Sequence, residues 1–167
     1  MRRRRLWLFV ALVAAQAILV AAFAAREEVY RRTGEEVLVR TIPVDPEDLL
    51  RGQYLTLVYR FQRLEGLPSE NGAEEDSVYV ELRREGRYWE PVAVRGELRS
   101  RSSVSDDSVL VKGKRSAFDR AEFPDLSRYY VRQGTPPPPK PPDVLLSVRG
   151  DGIARIVRLE IDGKRWP

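Results

Sequence analysis

LWLFVALVAAQAILVAAFAA, residues 6–25, carries no charge and a single amide, Gln16, and it directly follows Arg2, Arg3, Arg4 and Arg5. At about 1.5 Å of rise per residue, such a run reaches about 30 Å as a helix, the hydrocarbon thickness of a bilayer. The run therefore predicts a transmembrane helix, and it divides the chain into an anchor and one exported portion. Two other readings compete. A cleaved signal peptide would use Ala22-Phe23-Ala24 as its small-x-small site, near Ala24, and a soluble protein could bury the helix. The length of the run, and the lack of a polar segment before that site, favour the uncleaved anchor. Arg3-Arg4 ahead of Leu6-Trp7 faintly echoes a twin-arginine signal and carries little weight.

Basic residues near the ends of the span set its orientation. Arg2 to Arg5 are denser than Arg26, Arg31, Arg32 and Arg40 on the other side. The N-terminus is therefore expected in the cytoplasm and the remainder outside it, in a single-pass protein of the cell membrane with residues 6–25 in the lipid bilayer.

The net charge of +4 needs rereading in that light. Four of the 29 basic residues belong to the leading arginine cluster, which leaves 25 against 25 acids in the rest. A basic footprint for nucleic acid is absent, and local clusters such as Lys112, Lys114 and Arg115 read as a solvated strand face. Cysteine and histidine are both lacking. No disulfide can staple the fold, the usual ligands of zinc, copper and haem are missing, and histidine-based triads are excluded. The residues indicate no cofactor and no metal. Carboxylate, Ser/Lys or Tyr chemistry stays open.

Residues 26–32 extend the helix as a charged collar ending near Thr33-Gly34. Residues 36–44 alternate with period two, a strand closed by Pro43. Residues 45–52 read as one helical turn capped by Asp45, with Pro46 at its first position and Gly52 at its exit. A strand over residues 53–63 follows, with Leu55, Leu57, Tyr59 and Phe61 on one face and Tyr54, Thr56, Val58 and Arg60 on the other.

Further strands are expected at 78–83 and 88–98, at 109–112 and at 128–133. Residues 135–142, Thr-Pro-Pro-Pro-Pro-Lys-Pro-Pro, form an extended polyproline spacer, read as holding off the last hairpin or offering a partner a groove ligand. That hairpin, 143–149 with 153–161, turns at Asp151-Gly152 in a type I′ geometry, and Asp162-Gly163 turns the chain once more. The organisation is thus an anchor and collar (1–32), a β-rich extracytoplasmic domain (33–133), the spacer (134–142), and a C-terminal hairpin completing the domain (143–167). The fold class is mainly β: a single N-terminal transmembrane helix followed by one antiparallel β-rich domain, a sandwich or a partly closed barrel.

Asp45-Pro46-x-Asp48-Leu49-Leu50-Arg51-Gly52-Gln53-Tyr54-x-x-Leu57-x-Tyr59 resembles the motif of the GDYXXLXY family, and Ile161-Asp162-Gly163-Lys164 resembles the end of that family's domain. The resemblance implies a bacterial protein with one N-terminal span and an extracytoplasmic domain, in a family defined by its motif rather than by an activity. The span, the absent catalytic groups and the proline spacer point to another envelope protein as partner, and the resemblance implies a multi-span membrane protein in that place. Gln53 stands where the family has Asp. An amide can accept a turn hydrogen bond but cannot replace a catalytic or metal-binding carboxylate, which argues for a structural or recognition motif made of Asp45, Pro46, Asp48, Arg51, Gly52, Gln53, Tyr54, Leu57, Tyr59, Asp162 and Gly163.

A glycine turn and apolar strand after one span also resemble the β-rich domain of type I signal peptidases, which use a Ser nucleophile and a Lys base. Residues 37–53 contain no serine, and Ser116 near Lys114 is the one pair to weigh. The acidic stretches 74–76 and 105–108 lack the ligand spacing of a calcium loop and read as solvated loops. Tyr79, Tyr88, Trp89, Tyr129 and Tyr130 read as core packing in preference to a sugar-stacking platform. The expected function is a membrane-anchored extracytoplasmic accessory or interaction protein of non-enzymatic type. The alternative is an envelope hydrolase working through carboxylates or Ser116 and Lys114.

Overall fold

A computed structural model of the protein describes residues 2–42, 54–65, 77–96, 107–116 and 120–166. The helix α1 runs without a break over Arg2–Thr33. Trp7, Phe9, Ile18, Val20 and Phe23 are all well exposed along it, and none of its most apolar stretch is covered by the rest of the protein. Among the described residues nothing covers this apolar surface, which does not fit the reading as a buried soluble helix. The helix has the length and composition of a single-pass anchor or a signal sequence, and it could insert in a bilayer.

The charged collar continues the same helix to Thr33, as expected. β1, Glu35–Arg40, follows at once, shorter than the strand expected from its alternation. It pairs antiparallel with β8, Asp143–Val148, which pairs with β9, Ala154–Ile161, and then β10, Lys164–Trp166. A second sheet has the order β4-β3-β5-β6, with β3 at Ser77–Glu85, β4 at Tyr88–Arg95, β5 at Ser108–Ser116 and β6 at Arg120–Glu122. The expected strand at 109–112 is therefore longer at both ends. A two-stranded ribbon joins β2, Tyr54–Thr56, to β7, Arg128–Tyr130.

The fold is mainly β and antiparallel, with one sheet curved as a half-barrel. Val37, Val39, Val144, Leu146 and Leu159 of the first sheet meet Val78, Val80, Leu82, Val94 and Val111 of the second in one core. Burying each such side chain contributes about 1.5–3 kcal/mol. β4 stands beside β1, where the Arg40 guanidinium lies 4.0 Å from the Tyr88 ring centroid and the Tyr88 hydroxyl donates to Asp143 Oδ2 at 2.9 Å. Pro91, which cannot donate to a ladder, sits on β4 at the edge of its sheet, where the register with β3 shifts after Glu81. Across that pair, buried Glu81 accepts from Arg95 at 2.8 and 2.5 Å.

Two turn assignments change. Both Asp162 and Gly163 have positive φ, 52° and 74°, as a type I′ turn requires, so that turn lies between β9 and β10. At the other Asp-Gly dipeptide only Gly152 is positive. There the loop is wider, closed by Gly152 N–H to the Arg149 carbonyl at 2.9 Å and Arg149 N–H to the Ile153 carbonyl at 3.0 Å.

The polyproline stretch is not a stand-off. Pro138 and Pro142 are buried, Thr41 Oγ1 donates to the Pro142 carbonyl at 2.7 Å, and β8 begins at the next residue inside the core. The helical turn expected at 45–52, with Asp45, Pro46, Asp48, Arg51, Gly52 and Gln53, lies outside the described residues, as do the acidic stretch 74–76 and residues 105 and 106 of the second acidic stretch.

Candidate functional site

The motif strand breaks earlier than its alternation predicts. β2 ends at Thr56, Leu57 N–H donates to the Ser127 carbonyl at 2.9 Å, and Tyr59 bridges Thr41 before one 3-10 turn over Arg60–Gln62. Gln62 explains the break: its side chain accepts from the Tyr59 N–H at 2.9 Å and satisfies a donor that a ladder would otherwise use. The facing is nonetheless as expected. Leu55, Leu57, Tyr59 and Phe61 are all buried.

Tyr59 is the centre of this packing. Its hydroxyl donates to the Leu126 carbonyl at 2.8 Å, its ring stacks on Phe61 at 4.9 Å, and Phe61 meets Phe123 edge-on at 4.9 Å. Burial pushes the Tyr59 phenol far above its ordinary value. Tyr54 does the opposite. It is half-buried and meets Tyr130 edge-on at 5.9 Å, while the Arg128 guanidinium lies 5.1 Å from its ring centroid. Tyr130 is 71% exposed. Tyr and Arg presented together on a surface are the residue types that dominate protein–protein contacts.

Asp162 and Gly163 lie at another place, the end of the first sheet remote from α1, where Asp162 pairs with Lys140 of the polyproline stretch. Nearby, buried Glu160 accepts from Arg87 Nη2 at 2.7 Å and from Arg158 Nε at 2.9 Å. These groups border a hollow of about 460 Å³ with Leu38, Trp89 and Leu145. The structure therefore divides the described motif residues among a core plug (Leu57, Tyr59), a surface pair (Tyr54 with Tyr130) and a distal turn (Asp162, Gly163).

The Ser116 hydroxyl donates to Glu122 Oε1 at 2.6 Å. Lys114 lines a second hollow, of about 390 Å³, with Ser77, Lys112, Asp125 and Arg155. Among the described residues no three carboxylates gather where they could share a cation.

Sequence reasoning missed the junction between α1 and the β8–β9 hairpin. Arg155 Nε donates to Glu27 Oε1 at 2.5 Å, and its Nη1 donates to Asp125 Oδ2 at 2.8 Å. Ser147 Oγ donates to the Tyr30 carbonyl at 3.2 Å and accepts from Gly34 N–H at 3.1 Å. Arg149 covers the Tyr30 ring at 4.1 Å. The register of β8 with β9 shifts after Leu145, leaving Val157 unopposed, and its carbonyl accepts from Arg31 at 3.3 Å. A bulge thus frees the acceptor that the collar uses. A Cβ at Gly34 would stand 2.3 Å from Ser147 Oγ and 2.7 Å from Val148 N, so only glycine lets helix and sheet approach so closely. The one sequence signal was Gly34 itself.

No curated protein and no solved structure matches the chain. The family model described as GDYXXLXY protein matches residues 16–159, from within the apolar helix to the end of the core strands. With that match across most of its length, the chain belongs to the GDYXXLXY family.

Proposed function

We propose that this protein is a single-pass membrane protein whose β domain works outside the cytoplasm as a non-enzymatic accessory module for another envelope protein, of multi-span type. The observation that supports this reading is the junction. α1 passes from its apolar stretch into the β domain without a linker and is fastened to β8 and β9 by Glu27, Tyr30, Arg31 and Gly34. A domain held at fixed height and rotation above a bilayer suits docking against a neighbour embedded in the same bilayer, since that partner has fixed height and attitude too. Tyr54, Arg128 and Tyr130 supply the contact surface in this reading, and the motif's remaining residues shape the chain around it.

The test is affinity purification of the tagged full-length chain from gently solubilised native membranes, with mass spectrometry of its companions and its own N-terminus. A stoichiometric multi-span protein and an uncut N-terminus are expected, with the companion lost in Tyr54→Ala/Tyr130→Ala at unchanged melting temperature. A solitary protein beginning near Ala25 overturns the reading. The competing hydrolase reading predicts a turnover that Lys114→Ala abolishes in a folded protein.

A further inference from the structure

We propose that the hollow carrying Lys112 and Lys114 binds the phosphodiester of an anionic phospholipid headgroup at the membrane surface. The inference rests on the anchor part of the function proposed above. Its first support is position. Arg155 forms one wall of the hollow and is held by Glu27, which lies two residues beyond Ala25, the last of the apolar run. That is about 3 Å along a helix axis, and the headgroup layer extends about 5–8 Å beyond the hydrocarbon on each side. The Arg155 wall therefore stands at headgroup depth.

The second support is charge. Arg155 is shared between Glu27 and Asp125, and this trio carries one net negative charge, which Lys112 and Lys114 together exceed by one. Lys112 and Lys114, by contrast, are exposed and make no ion pair among the described residues. They occupy alternate positions of β5 and so project from the same face. The sequence expectation of a plain solvated face is changed by what surrounds them: Ser77, directly opposite Lys114 on β3, can donate to a phosphate oxygen, and Phe123, Leu126 and Ile153 give an apolar floor to the glycerol and first methylenes. Two ammonium groups, a hydroxyl and an apolar floor facing a membrane match an anionic lipid better than a neutral one.

The experiment uses the full-length protein in nanodiscs of equimolar phosphatidylglycerol and phosphatidylcholine, followed by native mass spectrometry of retained lipid. Wild type is expected to keep phosphatidylglycerol in preference. Near an anionic surface two lysines together supply about 30-fold, so Lys112→Gln/Lys114→Gln should lower the preference by up to that factor, leaving the part due to the arginines at the ends of the span. Arg115→Gln, a charge loss on the opposite face of the same strand, should leave it unchanged. Equal retention by wild type, an undiminished preference in the double variant, or an equal loss in Arg115→Gln overturns the proposal. Displacement of the lipid by millimolar glycerol phosphate would assign the hollow to a soluble phosphate ester instead and overturns the lipid assignment. Incorporation into discs of pure phosphatidylcholine, with the intact mass measured on the same sample, reports separately on the anchor. A protein that inserts uncut but shows no lipid preference sinks this inference alone.

Discussion

Tyr59 and Tyr54 stand on one short segment, yet the Tyr59 hydroxyl is enclosed and donates to the Leu126 carbonyl, while Tyr54 lies at the surface against Tyr130. Tyr59→Phe keeps the ring and its stacking but leaves that carbonyl without its donor, which should cost about 1–2 kcal/mol in denaturant unfolding. Tyr54→Ala should cost under about 0.5 kcal/mol in the same measurement. A pH series separates the two further. Because burial raises the folded-state value of Tyr59 above the ordinary 10.0 of the unfolded chain, its contribution is fully present below about pH 10. It is then lost as pH rises toward the folded value, at up to about 1.4 kcal/mol per pH unit. The difference between wild type and Tyr59→Phe should shrink along that limb. Period-two spacing was enough to assign Leu55, Leu57, Tyr59 and Phe61 to the buried face. The hydroxyl's partner was not legible, because Leu126 lies 67 positions away and nothing local marks it.

Two Asp-Gly dipeptides look alike in the sequence and make different elements. At Asp162-Gly163 both residues are in the left-handed region, so Gly163→Ala should destabilise by about 1–2 kcal/mol. At Asp151-Gly152 the aspartate instead accepts from Ile153 N–H at 3.1 Å, and Asp151→Ala should cost about 0.5–1 kcal/mol in thermal melts. A larger loss at Asp151 than at Gly163 would contradict the turn assignments. The dipeptide alone promises a tight turn at both places. What decides between them is the ladder: Ile161 and Lys164 pair directly, whereas β8 and β9 close through Arg149 and Ile153. The shortened motif strand has the same kind of cause, since Gln62 takes the Tyr59 amide that a longer ladder would need. Strand existence was legible from alternation, but strand length depended on side chains that compete for backbone groups.

For the molecule as a whole, the division into one long apolar N-terminal helix and a β-rich remainder was legible because length and polarity are imposed on a single continuous segment. How the two parts join was not, because the contacts tie Glu27, Tyr30 and Arg31 to residues more than 110 positions later. Gly34→Ala should leave most core amides protected from hydrogen exchange but raise exchange at Val148, whose amide the new Cβ would crowd. Truncation after Gly134 removes β8 and β9 and with them Val144, Leu146, Val148, Ala154 and Leu159 of the core, leaves β1 without its ladder partner, and should abolish cooperative unfolding altogether.

That pairing of β1 with β8 also dictates an order of events during biogenesis. β1 is the first strand to leave the ribosome, yet its partner lies 103 to 113 positions on. At about 5–20 residues per second, the ribosome needs about 6–20 s to supply it. Throughout that interval the segment beside the apolar helix presents an unpaired apolar edge, Val37 to Val39. The first sheet can therefore close only after synthesis is nearly finished, which makes the interval before β8 emerges the moment when a holdase or a protease has most access to the chain.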